Sequence, residues 1–270
     1  MSKIDIQNLS VTYEERGDLF TALSDVSFSV NDGEFVSVIG SSGCGKSTLL
    51  SVLEGLRTPT SGTVLIDGKP LTGTGLDRGV VFQQYSLFPW MTARGNVAFG
   101  IKQTRKGFTH KQRLEIADEY LEKVGLSEAS NRYPSRLSGG MQQRVAIARA
   151  LAMDTDILLM DEPFGAVDAK NRVILQELLL RLWQNEQKHK TVVFITHDID
   201  EAIFLSDRVI MFTESPGTVS KDISVPFPRP RERAALLHSP DYADFRSNLT
   251  TLFFDTEAKI GETEEDWVVI

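Results

Sequence analysis

The chain has 270 residues, 41% hydrophobic and 24% charged, a globular composition long enough to bury a substantial core. Its formal net charge of −8 argues against nucleic-acid binding, since a surface that grips phosphates broadly needs a basic patch. The single cysteine, Cys44, excludes an intrachain disulfide and any multi-cysteine metal site.

Residues 3–13 alternate apolar and polar with period two, as a half-buried strand does. Val26–Val30 and Gly62–Asp67 read similarly, so the N-terminal part is expected to carry a small antiparallel sheet. Met1-Ser2-Lys3-Ile4-Asp5 moves straight into this pattern with no apolar leader, and no apolar run approaches the ~20 residues of a membrane span. A soluble, cytoplasmic chain is expected.

Phe35–Ile39 is a short run apolar on both faces. Gly40, Ser41, Ser42, Gly43, Cys44, Gly45, Lys46, Ser47 and Thr48 follow it and match the phosphate-loop pattern G-x-x-x-x-G-K-[ST]. Thr48–Leu56 then reads as a helix, the context this motif requires. The glycines let backbone amides wrap around phosphates, Lys46 supplies charge to the β- and γ-phosphates, and the Ser47 hydroxyl suits Mg²⁺. A bulky alkyl group on Cys44, inside this loop, is expected to block the nucleotide.

Gly79–Phe82, Ile157–Met160 and Thr191–Thr196 resemble Phe35–Ile39 in being short and apolar, as strands of a buried parallel sheet are. All four end in polar or glycine residues: Gly40, Gln83, Asp161 with Glu162, and His197. In an open α/β sheet, ligands bind at the carboxyl ends of the strands. Asp161 is suited to hold the hydration shell of Mg²⁺, and Glu162 to polarise an attacking water. The alternative for this pair is an acidic strand end turning before Pro163; beside a phosphate loop the chemical reading is preferred.

Between the second and third of these strands, His110–Val124 places Leu114, Ala117, Leu121 and Val124 on one helix face. Ser138 is then a natural N-cap for a second helix, with Gly139 and Gly140 leaving its first amides bare, a helix start that attracts anions. Residues 88–153 are read as a helical subdomain inserted into the sheet. After Ser215-Pro216-Gly217 the chain changes character. Pro226–Arg231 reads as an extended basic linker, with Arg229, Arg231 and Arg233 as solvated charge in preference to contacts with a partner or lipid headgroups. Ser239-Pro240-Asp241 starts a helix leading to Phe253, and the acidic residues 256–270 are expected to fray.

The fold expected is α/β: a P-loop NTPase (RecA-like) parallel-sheet core with an antiparallel β subdomain and the inserted helical subdomain. Residues 1–225 would form the ATPase domain and 226–270 a C-terminal linker, short helix and tail.

Leu137–Arg144 resembles the signature sequence of ATP-binding cassette (ABC) ATPases, and the resemblance extends over about residues 3–215, with the family's motifs in order. It implies ATP and Mg²⁺ as ligands. By the same resemblance Gln83 is the glutamine-loop residue, catalytic and a Mg²⁺ contact with Ser47 and Asp161. Glu162 and His197 complete the catalytic set, His197 as the switch histidine. Asp168 is the D-loop aspartate, preceded here by Ala-Val where Ala-Leu is commoner, and Tyr13 stacks on adenine. Two copies, or one copy and a close paralogue, would sandwich two ATP molecules. Ser138, Gly139, Gly140 and Gln142 of one chain would then serve the ATP bound by Lys46 of the other.

Arg78–Gln83, Leu87–Trp90, Asn96–Gly100, Leu182–Gln184, Thr196–Phe204, Ser215–Gly217 and Ser239–Arg246 are similar to the nitrate/sulfonate/taurine importer subgroup. That likeness implies an energy-coupling ATPase on the cytoplasmic face of the membrane, a peripheral subunit without nucleic-acid partners. Two permease subunits would dock on the region Ser86–Gly100, and a separate solute-binding protein would feed them. An ATPase of a soluble assembly machine or of an exporter would share the nucleotide motifs. A non-enzymatic nucleotide-gated module would need a defective base, and Glu162 is intact.

Overall fold

The computed structural model describes residues 2–15, 17–184 and 189–261. The chain opens with two long antiparallel strands, β1 (Ser2–Glu15) and β2 (Asp18–Asn31). β1 alternates as expected, but its phase breaks once: Ile4 and Ile6 are buried, then Leu9 and Val11. The register shifts there, and Asn8 takes a left-handed φ of 48°, which asparagine tolerates better than most residues. Its amide donates to Asp25, itself at φ 52°. This bulge keeps both halves of the strand facing one core. β2 starts well before Val26, paired with the end of β1, where exposed Leu19 and Phe20 give the sequence no alternation to read.

β3 (Phe35–Ile39) is buried at every residue, as a doubly apolar run requires. α1 (Lys46–Leu53) follows the glycine-rich loop, then β4 (Ser61–Ile66) and the short β5 (Lys69–Pro70) complete an antiparallel sheet of order β2-β1-β4-β5. β6 (Arg78–Val81) leads into α2 (Ala93–Thr104), α3 (His110–Lys123) and α4 (Gly139–Ala152). Each helix starts where a side-chain oxygen takes an orphan amide: Thr92 from Gly95, Thr109 from Gln112, Ser138 from Met141. Gln112 returns a bond to the Thr109 amide, closing a capping box.

The remaining elements are β7 (Ile157–Asp161), α5 (Ala169–Gln184), β8 (Thr191–Ile195), α6 (Ile199–Leu205), β9 (Arg208–Phe212), β10 (Val219–Ser224), α7 (Arg233–Leu237) and α8 (Pro240–Gly261). Six strands take the order β10-β9-β3-β8-β7-β6, with β3/β9 and β6/β7 parallel and β10 antiparallel to β9. The fold is α/β, as expected. Packing divides the chain into two compact units, Met1–Gly73 with Phe194–Ile270, and Thr74–Val193. In the second, α2 buries a face that includes Val97 and Ile101, α3 one that includes Ala117 and Leu121, and α4 is buried all round from Val145 to Ala152.

The segment after β10 corrects the sequence reading. Arg231 is not solvated linker charge: it is 7% exposed and donates to the carbonyls of Ile203, Phe204, Ser206 and Phe227. Burial and the neighbouring Arg229 bring its guanidinium down to about 10, still charged at neutral pH. Arg229 donates to Leu205 O and pairs with Asp207 at 2.7 Å, and Arg233 lies over the Phe204 ring. The cause is local. α6 ends at Leu205, and its last carbonyls have no intrahelical donors, so the guanidinium groups take that role. α8 begins at the predicted Pro240, and its helix continues past Phe253 to Gly261; residues 262–270 of the expected frayed tail lie outside the described residues. Tyr242 and Leu249 are buried with Phe227 and Phe245 against Ala202, Ile203 and Met211.

Replacing Arg231 by Ala leaves several buried carbonyls without donors, an expected loss of about 1–3 kcal/mol. A urea melt should show the midpoint falling with an unchanged slope; an unchanged midpoint would deny these bonds their structural role.

Candidate functional site

The first unit carries the phosphate loop. β3 ends at Ile39, and the chain turns through Gly40–Gly45 before α1 begins at Lys46. Gly45 has φ 95°, and a Cβ there would lie 2.6 Å from Ala22 O, so only glycine fits. No side chain caps α1, which leaves its positively polarised start to an external anion. Lys46 is buried, its ammonium donating to Gly40 O and Ser41 O at 2.7 Å each. The loop therefore combines bare amides with a held cation, a fit to a polyphosphate.

Something must hold that loop from behind. The Ser215-Pro216-Gly217 turn, which the sequence marks as a boundary and a point of family likeness but not as a support, does so. Gly217 donates to Ala22 O, accepts from Ser24 N, both at 2.9 Å, and passes so close to Cys44 O that a Cβ would stand 2.0 Å from it. Cys44 itself is 1% exposed. Burial pushes its thiol up, partly opposed by Lys46. The thiol lies in the wall of the cradle, not on its open side. A reagent therefore reaches Cys44 only when the loop opens.

Two further predicted residues lie in this unit. The Tyr13 hydroxyl is 3.0 Å from the Thr48 hydroxyl, which fixes the ring's edge to the first turn of α1. His197 is exposed at the end of β8, between two fastened neighbours. The Thr196 hydroxyl donates to buried Glu201 at 2.7 Å, and Asp198 caps α6 by accepting from Glu201 N. The histidine ring thus projects from a short, rigid turn.

The second unit carries Gln83, Glu162, the signature segment and the D-loop. Asp161 closes β7, and Glu162 follows with φ 38°, a left-handed backbone that costs a non-glycine residue about 1–3 kcal/mol. Glu162 O accepts from Gly165 N at 3.0 Å, which closes the turn. The Gln83 amide and the Glu162 carboxylate converge on Gly165: a Cβ there would be 3.2 Å from Gln83 Nε2 and 3.7 Å from Glu162 Oε2. Asp168 caps α5 by accepting from Asn171 N and Nδ2, and those two bonds hold its carboxyl below the usual range. Ser138 caps α4 as predicted, and the Gln142 amide donates to Leu137 O.

Two residues escaped the sequence reading. Tyr85 donates its hydroxyl to Ala166 O at 3.4 Å and fills the space where a Gly139 Cβ would go, so one ring touches the D-loop and the signature turn. Arg149, on α4, donates to Ser86 O at 2.8 Å and Tyr85 O at 3.3 Å. It clamps two residues with positive φ, 45° and 25°, directly after the Gln83 segment. Burial lowers its pKa. The available signal was a charge on an otherwise apolar face, beside Val145, Ala148 and Ala152.

These arrangements have close counterparts. An "ABC transporter" family model matches residues 23–165. The chain is 51% identical over 229 residues to the nitrate import ATP-binding protein NrtD of Synechococcus elongatus, covering 84% of this chain and 83% of the relative. It is 44% identical over 245 residues to the bicarbonate transport ATP-binding protein CmpD of a Synechocystis species, covering 90% and 86%. Among solved structures, a dimeric post-hydrolysis ATP-binding cassette bound to ADP and Pi superposes with a TM-score of 0.74 at 37% identity, over 83% of this chain and all of that one. With a backbone phosphate cradle in one unit, and a strained glutamate and a self-capped signature turn in the other, the chain belongs to the ABC transporter family, as one of its ATP-hydrolysing cassettes.

Proposed function

We propose that the chain is the energy-coupling ATPase of an importer for a small oxyanion such as nitrate or bicarbonate, acting as a head-to-tail pair. One observation carries the nucleotide half of this reading: a phosphate loop leading into a helix that no side chain caps, backed by Gly217 and charged by Lys46. In this reading the amides of Gly40–Thr48 cradle the phosphates, Lys46 leaves its two carbonyls for the β- and γ-oxygens, and Tyr13 stacks on adenine. Glu162 takes a proton from the attacking water, Gln83 and His197 orient that water against the γ-phosphate, and Asp168 steadies the facing subunit's loop.

The donors available for a metal are the Ser47 hydroxyl, the Gln83 amide oxygen and the Asp161 carboxylate, hard oxygen ligands of the kind Mg²⁺ prefers. When bound, that ion would neutralise charge on the β- and γ-phosphates.

The signature turn explains the pairing. The Ser138 side-chain oxygen already accepts the Met141 amide, so its proton is available to an oxyanion, with the amides of Gly139 and Gly140 beside it. By the family's arrangement that oxyanion is the γ-phosphate of the other subunit, and closure and release of the pair drive transport.

No helix among the described residues is long and apolar enough to cross a membrane. In this reading two permease subunits form the pore, a separate binding protein delivers the solute, and the ATPase sits at the cytoplasmic face. Trp90 supports the docking of a permease helix. It is 69% exposed, yet its loop is fixed, because fully buried Asn96 bonds the backbone of Phe88, Met91 and Thr92. An exposed aromatic ring on a fixed loop, packed on Phe88, which in turn packs edge-on against Phe99, suits an amphipathic helix.

Two outcomes check this account. Glu162→Gln should bind ATP normally, lose about a hundredfold or more in kcat, and accumulate as a dimer on size-exclusion chromatography in Mg-ATP. Near wild-type turnover would remove Glu162 from its role. Ser138→Arg should keep the ATP Kd of the isolated chain while abolishing steady-state hydrolysis; a weakened Kd with normal kcat would refute action on a second subunit's nucleotide.

A further inference from the structure

Tyr13 does not stand alone beside the phosphate loop. The Arg57 guanidinium carbon lies 4.0 Å from the centroid of its ring, a cation stacked on one aromatic face. The chain is built to deliver it there. α1 runs away from the loop to Leu53, then Gly55, at φ 77°, reverses the backbone, and the amides of Leu56 and Arg57 both donate to Ser51 O. Three residues later the segment is tied to β1 on either side of residue 11: Thr60 N donates to Ser10 O at 2.8 Å, and Thr12 N donates to the Thr60 hydroxyl at 2.9 Å. Arg57 is therefore fixed relative to Tyr13 by two bonds to the same strand. The ring is restrained at its edge by Thr48 and on one face by Arg57.

We propose that Arg57 is a positioning residue for the nucleobase: it braces Tyr13 from one side so that a purine stacks on the opposite face, giving a cation–ring–base sandwich. The inference rests on the ATP-site reading above. Physically, a guanidinium on one face draws on the ring's quadrupole and removes its rotational freedom, so the base meets a surface already ordered. Sequence alone did not reveal this, since Arg57 sits on no apolar face and follows a helix end, where an arginine is ordinarily solvated.

The test compares ATP with inorganic tripolyphosphate, both titrated calorimetrically with EDTA present so that nothing turns over. Arg57→Gln should weaken ATP about two- to five-fold, the equivalent of one exposed cation–π contact, and leave tripolyphosphate unchanged. Arg57→Lys, which keeps the charge, should recover most of the loss. In a Tyr13→Ala background, Arg57→Gln should have no further effect. Unchanged or tighter ATP binding in Arg57→Gln would overturn the brace; tighter binding would mean that Arg57 covers the base's own face. Equal weakening of both ligands would also overturn it, by making Arg57 a general electrostatic contributor. A wild-type chain that binds neither ligand would refute the ATP-site reading itself, a failure distinct from these.

Discussion

A loop can grip phosphate with its own amides only if it is bare in front and held from behind. In this chain both conditions come from glycine. Gly45 turns the backbone into α1 through a conformation and a space that no side chain permits, and Gly217 closes on Cys44 O from the other side. The turn that carries Gly217 is bonded to Ala22 and Ser24 of β2, so the cradle is framed by a strand and a turn distant in sequence. Cys44 is buried within that frame, and Lys46 is held by the loop's own carbonyls at Gly40 and Ser41. The uncapped start of α1 makes sense within it, as a helix end whose amides are left for an anion.

The second unit organises its chemistry around a different device, a pair of side chains that join motifs. Tyr85 and Arg149 connect the segment after Gln83 to the D-loop and to α4, the helix that begins at the signature turn. A displacement of that segment would therefore be felt at both. The backbone is held at positive φ at Tyr85, Ser86 and Glu162, so this segment is strained where the motifs meet.

Much of this was legible from residues alone, and the reasons are local ones. Phe35–Ile39 was placed to the residue because a run apolar on both faces, ending in glycine, has few alternatives. The starts of α4 and α8 were legible because Ser138 and Pro240 are local signals, read within one turn. What stayed hidden depends on partners far along the chain. Arg231 looks like linker charge until the carbonyls ending α6 are placed around it. Arg149 bonds residues more than sixty positions away. The bulge at Asn8 shifts the phase of β1, yet the two-residue period on each side disguises it. The surroundings of Cys44 stayed hidden for a related reason: its place in the motif is local, but Gly217, far along the chain, closes on its carbonyl.

The central claim is that each signature turn works on the other subunit's nucleotide, and a mixing experiment tests it most directly. Lys46→Ala and Ser138→Arg chains should each be inactive alone, since every site in either homodimer is defective. Mixed, they form a pair in which one site carries both defects and the other carries none, so ATP hydrolysis should reappear. If the signature served its own chain's ATP, every site in the mixed pair would keep one defect. A mixture that forms dimers and remains inactive would contradict the account.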